Sequence, residues 1–374
     1  MSVDIARKNL FHDRTRFLIT VVGVTFSVVL IFAQVGIYLG FIENASIIID
    51  NTDAEIWITS KSSANFDFPL AFDERRLAKV KEVPGVADAD YLILTWLSMR
   101  LADGGSEAVE LIGFNPHTGV GGPWQLVEGS VQALKAGHGL IVDESAFPKL
   151  GALRVGDLVE VDETRLRVVG ISRGVRGFTT APYVFTSLRT AREVDPRFRD
   201  RTVFIVARVV PGHDPSQVAE RLRALPYLDV HTRDEYSLKT RLYWTLQTGL
   251  GVGFALTALM AVVVGTVVVA QTIYTATIEH LREFGTLKAI GATNRMVYGI
   301  IVEQAVINAV VGYAAGLLIT LLAVHSSSLT GVVMVVRPPV MLAVFIVAVA
   351  MCLGAAVISV RKALQVDPVM VFRA

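Results

Sequence analysis

Charged residues are absent from long stretches of this chain and crowd into the segment between the first two. Phe17 to Ile42, Leu242 to Ile278 and Pro339 to Val360 carry no formal charge, and Met296 to Val324 carries only Glu303. At about 1.5 Å of rise per residue, each run is long enough to cross a ~30 Å hydrocarbon core. The pattern predicts four transmembrane helices, over 17–42, 242–278, 296–324 and 339–360. Tyr243, Trp244 and Tyr274 fall near the ends of the second run, as interfacial aromatics do. The first run is too long for the apolar region of a signal peptide, about 7–15 residues, and Phe41-Ile42-Glu43-Asn44 makes a poor cleavage site.

Basic residues near the span ends orient the chain. Segment 1–16 holds Arg7, Lys8, Arg14 and Arg16, segment 279–295 holds Arg282, Lys288 and Arg295, and segment 361–374 holds Arg361, Lys362 and Arg373. Segment 325–338 holds only Arg337. The two tails and 279–295 are therefore expected in the cytoplasm. Residues 43–241 and the short loop 325–338 are then expected outside; a long domain translocates largely regardless of its charge.

Within 43–241, two stretches share one plan. Ala54 to Thr59 reads as a strand, Asp73 to Tyr91 as a helix through Leu77 and Val80, a Val83-Pro84-Gly85-Val86 turn and a second strand. Thr202 to Val210 reads as a strand, followed by a helix through Val218 and Leu222, a Leu225-Pro226 break and a strand from Leu228 to Val230. Two β-α-β units with an insertion between them, about 111–189, predict one α+β domain. In the insertion, Leu153 to Val161 alternates apolar and polar residues, and Arg165 to Ile171 does so more loosely, with Gly170 breaking the run; with Asp162-Glu163-Thr164 between them this is the pattern of a hairpin in a small barrel or sandwich. Phe66, Phe68 and Phe72 form an aromatic loop after the first strand. They are a candidate surface for an apolar substrate or partner, set against the plainer reading of side chains tucked onto the domain.

Composition agrees with this reading. Hydrophobic residues make up 52% of the 374 and charged residues 18%, below the roughly 25% of soluble domains. A net charge of +1 gives no reason to expect a nucleic-acid partner. The single cysteine, Cys352, lies in an apolar run, excludes an internal disulfide and reads as a small packed or lipid-facing residue. No catalytic signature is present: no G-x-x-x-x-G-K-S/T, no H-E-x-x-H, no G-x-S-x-G, and no histidine spaced for a metal. The chain is therefore not expected to be an enzyme or to hold a cofactor or metal. Glu303 stands out as an ionisable group inside a predicted span. Packing or dimerisation is the favoured role and proton coupling the lesser one.

Segment 279–295 is the most informative. Leu281, Phe284, Leu287 and Ile290 recur every three residues and form one apolar stripe on a helix, with Arg282, Glu283 and Lys288 on other faces and Gly291 placed to end it. Four apolar side chains and one lysine make a weak lipid anchor, and a groove on a partner protein suits this helix better.

The run from Glu279 to Thr293, with Arg282-Glu283 and Leu287-Lys288-Ala289-Ile290-Gly291-Ala292-Thr293, resembles the R-E-x-x-x-L-K-A-x-G-A-T signature of the MacB/FtsX superfamily of ABC permeases, which includes the LolCE-like proteins. Glu303, the Gly312-x-x-x-Gly316 pair, the Lys362 to Val369 tail, Ile5 to Leu10 and Leu153-Arg154-Val155-Gly156-Asp157 fit the same family, as does the order of one span, a large external domain and three spans. Pro182 to Ser187 resembles the DevC branch, whose members export lipids or glycolipids.

The resemblance implies a bacterial inner-membrane permease working as a homodimer with two copies of a separate ATPase of the LolD/MacB/DevA type, which would bind ATP and Mg. MacB itself carries its ATPase on the same chain; this chain does not. The resemblance makes 279–291 the helix that couples to the ATPase, through Glu279, Leu281, Arg282, Glu283, Phe284, Leu287, Lys288 and Gly291. Residues 3–16 would be an elbow helix on the inner membrane face, and the first and second spans would dimerise. A membrane-fusion adaptor and an outer-membrane channel are possible further partners. The expected function is ATP-driven export or extraction of a lipid, lipoprotein or other amphipathic substrate, driven by shape change in the external domain. The alternative is an FtsX-like relay that activates a cell-wall hydrolase without moving a substrate.

Overall fold

A computed structural model describes residues 14–177, 181–279, 293–327 and 334–364. The chain divides into two compact units: Phe41–Gly249, and the segments before and after it. The fold is four long apolar helices with a large α/β domain between the first and the second.

Residues 41–249 contribute twelve strands: β1 (Ile56–Ser60), β2 (Phe72–Asp73), β3 (Val86–Arg100), β4 (Ser106–Phe114), β5 (Leu126–Gly129), β6 (Gly139–Asp143), β7 (Leu158–Val161), β8 (Thr164–Ser172), β9 (Tyr183–Ser187), β10 (Arg201–Thr202), β11 (Phe204–Val209) and β12 (Leu228–Thr232). The two expected β-α-β stretches interleave into one antiparallel sheet of order β12-β1-β11-β3, a ferredoxin-like arrangement. Helices Arg76–Lys81 and Pro215–Arg223 bring Val80, Val218 and Leu222 against Ile56, Ile58 and Ile205. Because successive strand residues face opposite ways, Trp57 belongs to the other core, with Phe204 and Val206.

The insertion begins inside β3, earlier than the 111 read from the sequence. Residues up to Leu92 pair with β11, whereas Ile93 to Arg100 pair with β4. From there pairing continues β4-β9-β6-β8-β7 and returns to β3 through Met99 and Val161, so six strands close into a barrel. Closure removes the exposed strand edges that an open sheet would leave. The expected hairpin is β7–β8. Asp162 and Glu163 both hold positive φ, 40° and 66°, which a two-residue hairpin turn demands. Asp162 also accepts a hydrogen bond from the Ser98 backbone at 3.0 Å.

The other unit contains helix Arg14–Ala45 as far as Gly40, and helices Leu250–Glu279, Asn294–Ser327 and Pro338–Leu364. Among the described residues, the segments long and apolar enough to cross a membrane are Phe17–Ala45, Leu250–Thr272, Tyr298–His325 and Pro338–Val357. Their shared core is Val24, Val28, Phe32, Ala305, Ala348 and Cys352, so Cys352 is a packed residue. The uncharged run from Leu242 is not one continuous helix. Helix Arg233–Leu242 passes into a π-turn over Tyr243–Gln247, and Gly249, at φ 75°, breaks the chain before Leu250. Lack of charge marked the run correctly as apolar; it carried no information about the backbone break. The segment Leu281–Gly291, expected to couple to an ATPase, and the first thirteen residues lie outside the described residues.

Candidate functional site

The chain enters the strand-rich unit at Phe41 and leaves it at Gly249, and the residues just inside these points are tied together. Ser46 interrupts the entering helix, and Ile47–Asn51 form one more helical turn. Ser46 Oγ donates to Asp50 Oδ2 at 2.7 Å. Arg241, on the leaving helix, donates from Nε to Ser46 Oγ at 2.8 Å and from Nη2 to Asp50 Oδ2 at 2.6 Å. The leaving helix starts from a capping box, with Thr232 and Glu235 satisfying each other's backbone N–H groups, so its register is fixed from the first turn. Its Tyr236 is fully buried and stacks on Trp57 at 5.6 Å and on His231 at 5.4 Å.

A second tie comes from the loop after β1. Phe66 stacks on Phe204 at 5.2 Å and meets Trp57 edge-on. Asp67, 1% exposed, accepts hydrogen bonds at Oδ2 from Trp244 Nε1 (2.7 Å) and Asn65 Nδ2 (2.9 Å). Its Oδ1 is buried without a partner, as are Trp57 Nε1 and Tyr236 Oη. Burial raises the Asp67 pKa to about 7, against the lowering effect of the Trp244 and Asn65 hydrogen bonds. A carboxyl in this position is near half-protonated at neutral pH. Nearby, Lys239 Nζ and His231 Nε2 both lie 2.9 Å from Asp229 Oδ2. Burial acts against the Asp229 charge, but these two partners together hold its pKa below the usual range.

The aromatic loop therefore splits. Phe66 and Phe72 are core residues, 1% and 8% exposed, and only Phe68, at 49%, reaches the surface, beside Tyr243 and Trp244. These three do not make a common apolar face; the alternation of side chains along the loop turns two of them inward.

In the helical unit, Gly312 and Gly316 face the first helix. A Cβ on Gly312 would stand 2.6 Å from Val24, and one on Gly316 would stand 2.6 Å from Val28. The Thr25 hydroxyl donates to the Gly312 carbonyl at 3.2 Å. Glu303 is half-buried on the same helix, and Asn308, one turn on, is buried with Oδ1 unpartnered. Glu279 is the last residue of its helix. Leu281, Arg282, Glu283, Phe284, Leu287, Lys288 and Gly291 lie outside the described residues. Sequence reasoning missed Asp50, Asp67 and Arg241, and read Trp244 as an interfacial aromatic rather than as a partner of Asp67. Only Asp67 left a signal, a carboxylate set between two phenylalanines.

Comparison with known proteins covers both units. Residues 17–225 match the profile of the MacB-like periplasmic core domain, and residues 255–368 match that of the FtsX-like permease C-terminal region. An uncharacterized ABC transporter permease of Mycobacterium tuberculosis is 25% identical over 370 residues, 98% of each chain. Another, of Mycobacterium bovis, is 24% identical over 373 residues, again 98% of each. Among solved structures, the periplasmic region of MacB from Actinobacillus actinomycetemcomitans superposes with a TM-score of 0.38 at 12% identity, over 50% of this chain and 94% of that one. The extracellular domain of the noncanonic ABC-type transporter YknZ from Gram-positive bacteria gives 0.35 at 11%, over 48% and 98%.

Proposed function

Because the chain belongs to the MacB/FtsX family of ABC transporter permeases, we propose that it converts ATP hydrolysis by a separate ATPase into shape change of the 41–249 domain, and so extracts or exports an amphipathic substrate. An ABC permease works with an ATPase partner; here that partner is proposed to be of the LolD/MacB/DevA type, binding ATP and Mg and docking on residues 279–291. The termini are proposed to be cytoplasmic and the 41–249 domain external, across a bacterial inner membrane, from the basic residues that flank the spans.

The observation that carries this reading is the bracket of Ser46, Asp50 and Arg241. It ties the segment that follows the first helix to the one that leads toward the second. The first helix runs unbroken from Arg14 to Ala45 and suits a lever, whereas the π-turn and Gly249 suit a joint. Lever and joint of unequal stiffness would turn an inward push into a tilt rather than a plain translation. The homodimer is proposed to form through the first and second spans. In support, Leu250–Thr272 is 17% buried against 33% or more for the other three, with Val252, Leu256, Leu259, Val263 and Val267 exposed along one face. Glu303, Gly312 and Gly316 are assigned to packing.

The test is purification of the tagged full chain in mild detergent, with identification of co-purifying proteins and assay of ATPase stimulation. An ATPase with a membrane-fusion adaptor supports export toward an outer-membrane channel. An ATPase with a cell-wall hydrolase shifts the reading to a relay. Phe284→Asp is expected to abolish stimulation; unchanged stimulation, or no ATPase at all, removes the lever's input and the proposal with it.

A further inference from the structure

On the flank of the strand-rich unit, the segment after β4, the 3-10 turn Val131–Ala136 and the helix Leu188–Val194 enclose an open cleft of about 580 Å³. That volume is in the range of small-molecule sites. Its lining holds four cations, Lys135, Arg189, Arg192 and Arg199, against one carboxylate, Glu193. The carboxylate is already engaged: it takes the Arg189 Nε at 3.0 Å and lies 3.6 Å from His138 Nε2. Arg192 is fixed by Glu74 at 2.5 Å and by the Tyr91 ring at 5.6 Å. Among the described residues, Lys135 and Arg199 have no ion-pair partner within 4 Å.

Like charges gathered in a concave site repel, and the concavity concentrates their field on whatever enters. A purely structural cluster would have recruited enough acids to neutralise it, as Arg192 has recruited Glu74. Here two cations from separate segments stay unpaired, while a third is held in place by its own partners. Guanidinium and ammonium donors lining one concavity suit the oxygens of a phosphate-type anion, which accepts charge-assisted hydrogen bonds from several directions at once.

We propose that this cleft binds a phosphate-type anion, either a free anion or the headgroup of an acidic lipid, with Lys135 and Arg199 as its principal ligands. Arg192 supplies a fixed positive field, and Arg189 can exchange its exposed bond to Glu193 for one to the ligand. The site stands independently of the export reading, because it requires neither ATPase nor transport.

The test is calorimetric titration of the purified full chain in neutral detergent with inorganic phosphate and, separately, with short-chain phosphatidylglycerol. Saturable binding of at least one probe is expected, weakened about tenfold or more when Lys135→Ala and Arg199→Ala are combined, since each removes a charge-assisted contact. Lys79→Ala, outside the cleft, is expected to leave it unchanged. Phosphatidylglycerol binding at least about tenfold tighter than phosphate identifies a headgroup site; comparable affinities identify a free-anion site. Both altered side chains are exposed, and a glutamine pair replaces the alanine pair should the latter misfold. Absence of binding by both probes, or binding that the paired substitutions leave unchanged, overturns the proposal.

Discussion

The two units of this protein differ in what their cores are made of. In the strand-rich unit a cluster of large aromatics fills the centre: Trp57, Tyr236, Phe66 and Phe204 are each at most 1% exposed and meet one another face to face or edge-on. In the helical unit, small residues let helices meet closely: Gly312 and Gly316 lie against Val24 and Val28 of the first helix. The solvent of each unit explains the difference. A domain facing water gains from every apolar area it hides, so large aromatics at its centre contribute most. Helices in lipid leave one apolar phase for another, so they gain mainly from close contact and hydrogen bonding between backbones.

The comparison predicts where truncation hurts most. Trp57→Ala empties a site filled on all sides and is expected to destabilise the strand-rich unit by about 3–5 kcal/mol. The measurement is denaturant unfolding of the purified full chain, followed by loss of strand signal in circular dichroism. A cost below about 1 kcal/mol would mean that the aromatic stack is loosely held and that the contrast between the units is overstated.

Next in size is the pH response of Asp67. Its pKa rises from 3.8 to about 7 on folding, so between those values the folded domain keeps a proton that the unfolded chain has released. Stability from this group is therefore full below pH 3.8 and is lost as pH rises through about 7. From pH 5 to pH 8 the loss is expected to be about 2–3 kcal/mol. Asp67→Asn keeps an acceptor for Trp244 Nε1 and removes the charge, so it should flatten this part of the curve and raise stability at pH 8. A variant that tracks the wild type at every pH would show that the carboxylate finds water or a counter-charge.

The helical unit answers to added bulk rather than lost bulk. Gly312→Leu forces a side chain into the space held by Val24 and is expected to cost about 1–3 kcal/mol, read as earlier thermal inactivation in detergent. The same change at Gly104, with open space around its Cβ position, separates crowding from backbone effects only in part, because that glycine holds φ 88°. Gly253, in a helix and with nothing nearby, is the cleaner control.

Much of this was legible in the sequence, for physical reasons. Charge-free runs announce spans because lipid excludes charge, and paired strand-helix-strand patterns announced one α+β domain through Val80, Val218 and Leu222, though not the strand order of its sheet. The β7–β8 hairpin was readable from alternation before Asp162-Glu163 and looser alternation after it. Closure of the barrel was not, because the pairing of Met99 with Val161 is a long-range event that leaves no periodic trace. The break at Gly249 was hidden by the uncharged residues around it. Phe66, Phe68 and Phe72 were legible as a loop, but their sorting into core and surface depended on partners such as Phe204 that lie far along the chain.

The smallest expected effect on stability is also the sharpest test of how the domain is worked. Arg241 and Asp50 are 37% and 33% exposed, so losing their ion pair should cost no more than about 1 kcal/mol of stability. As a plain surface pair, its removal would leave function untouched. As a bracket between the entering and leaving segments, its loss would let one segment move without the other. Arg241→Ala should then keep its melting behaviour, yet lose most of the export proposed to accompany ATP hydrolysis, and the exchange Arg241→Asp with Asp50→Arg should restore part of it. Export that survives Arg241→Ala would place the transmission elsewhere, with the Asp67–Trp244 tie as the next element to cut, because it joins the β1 loop to the same leaving segment.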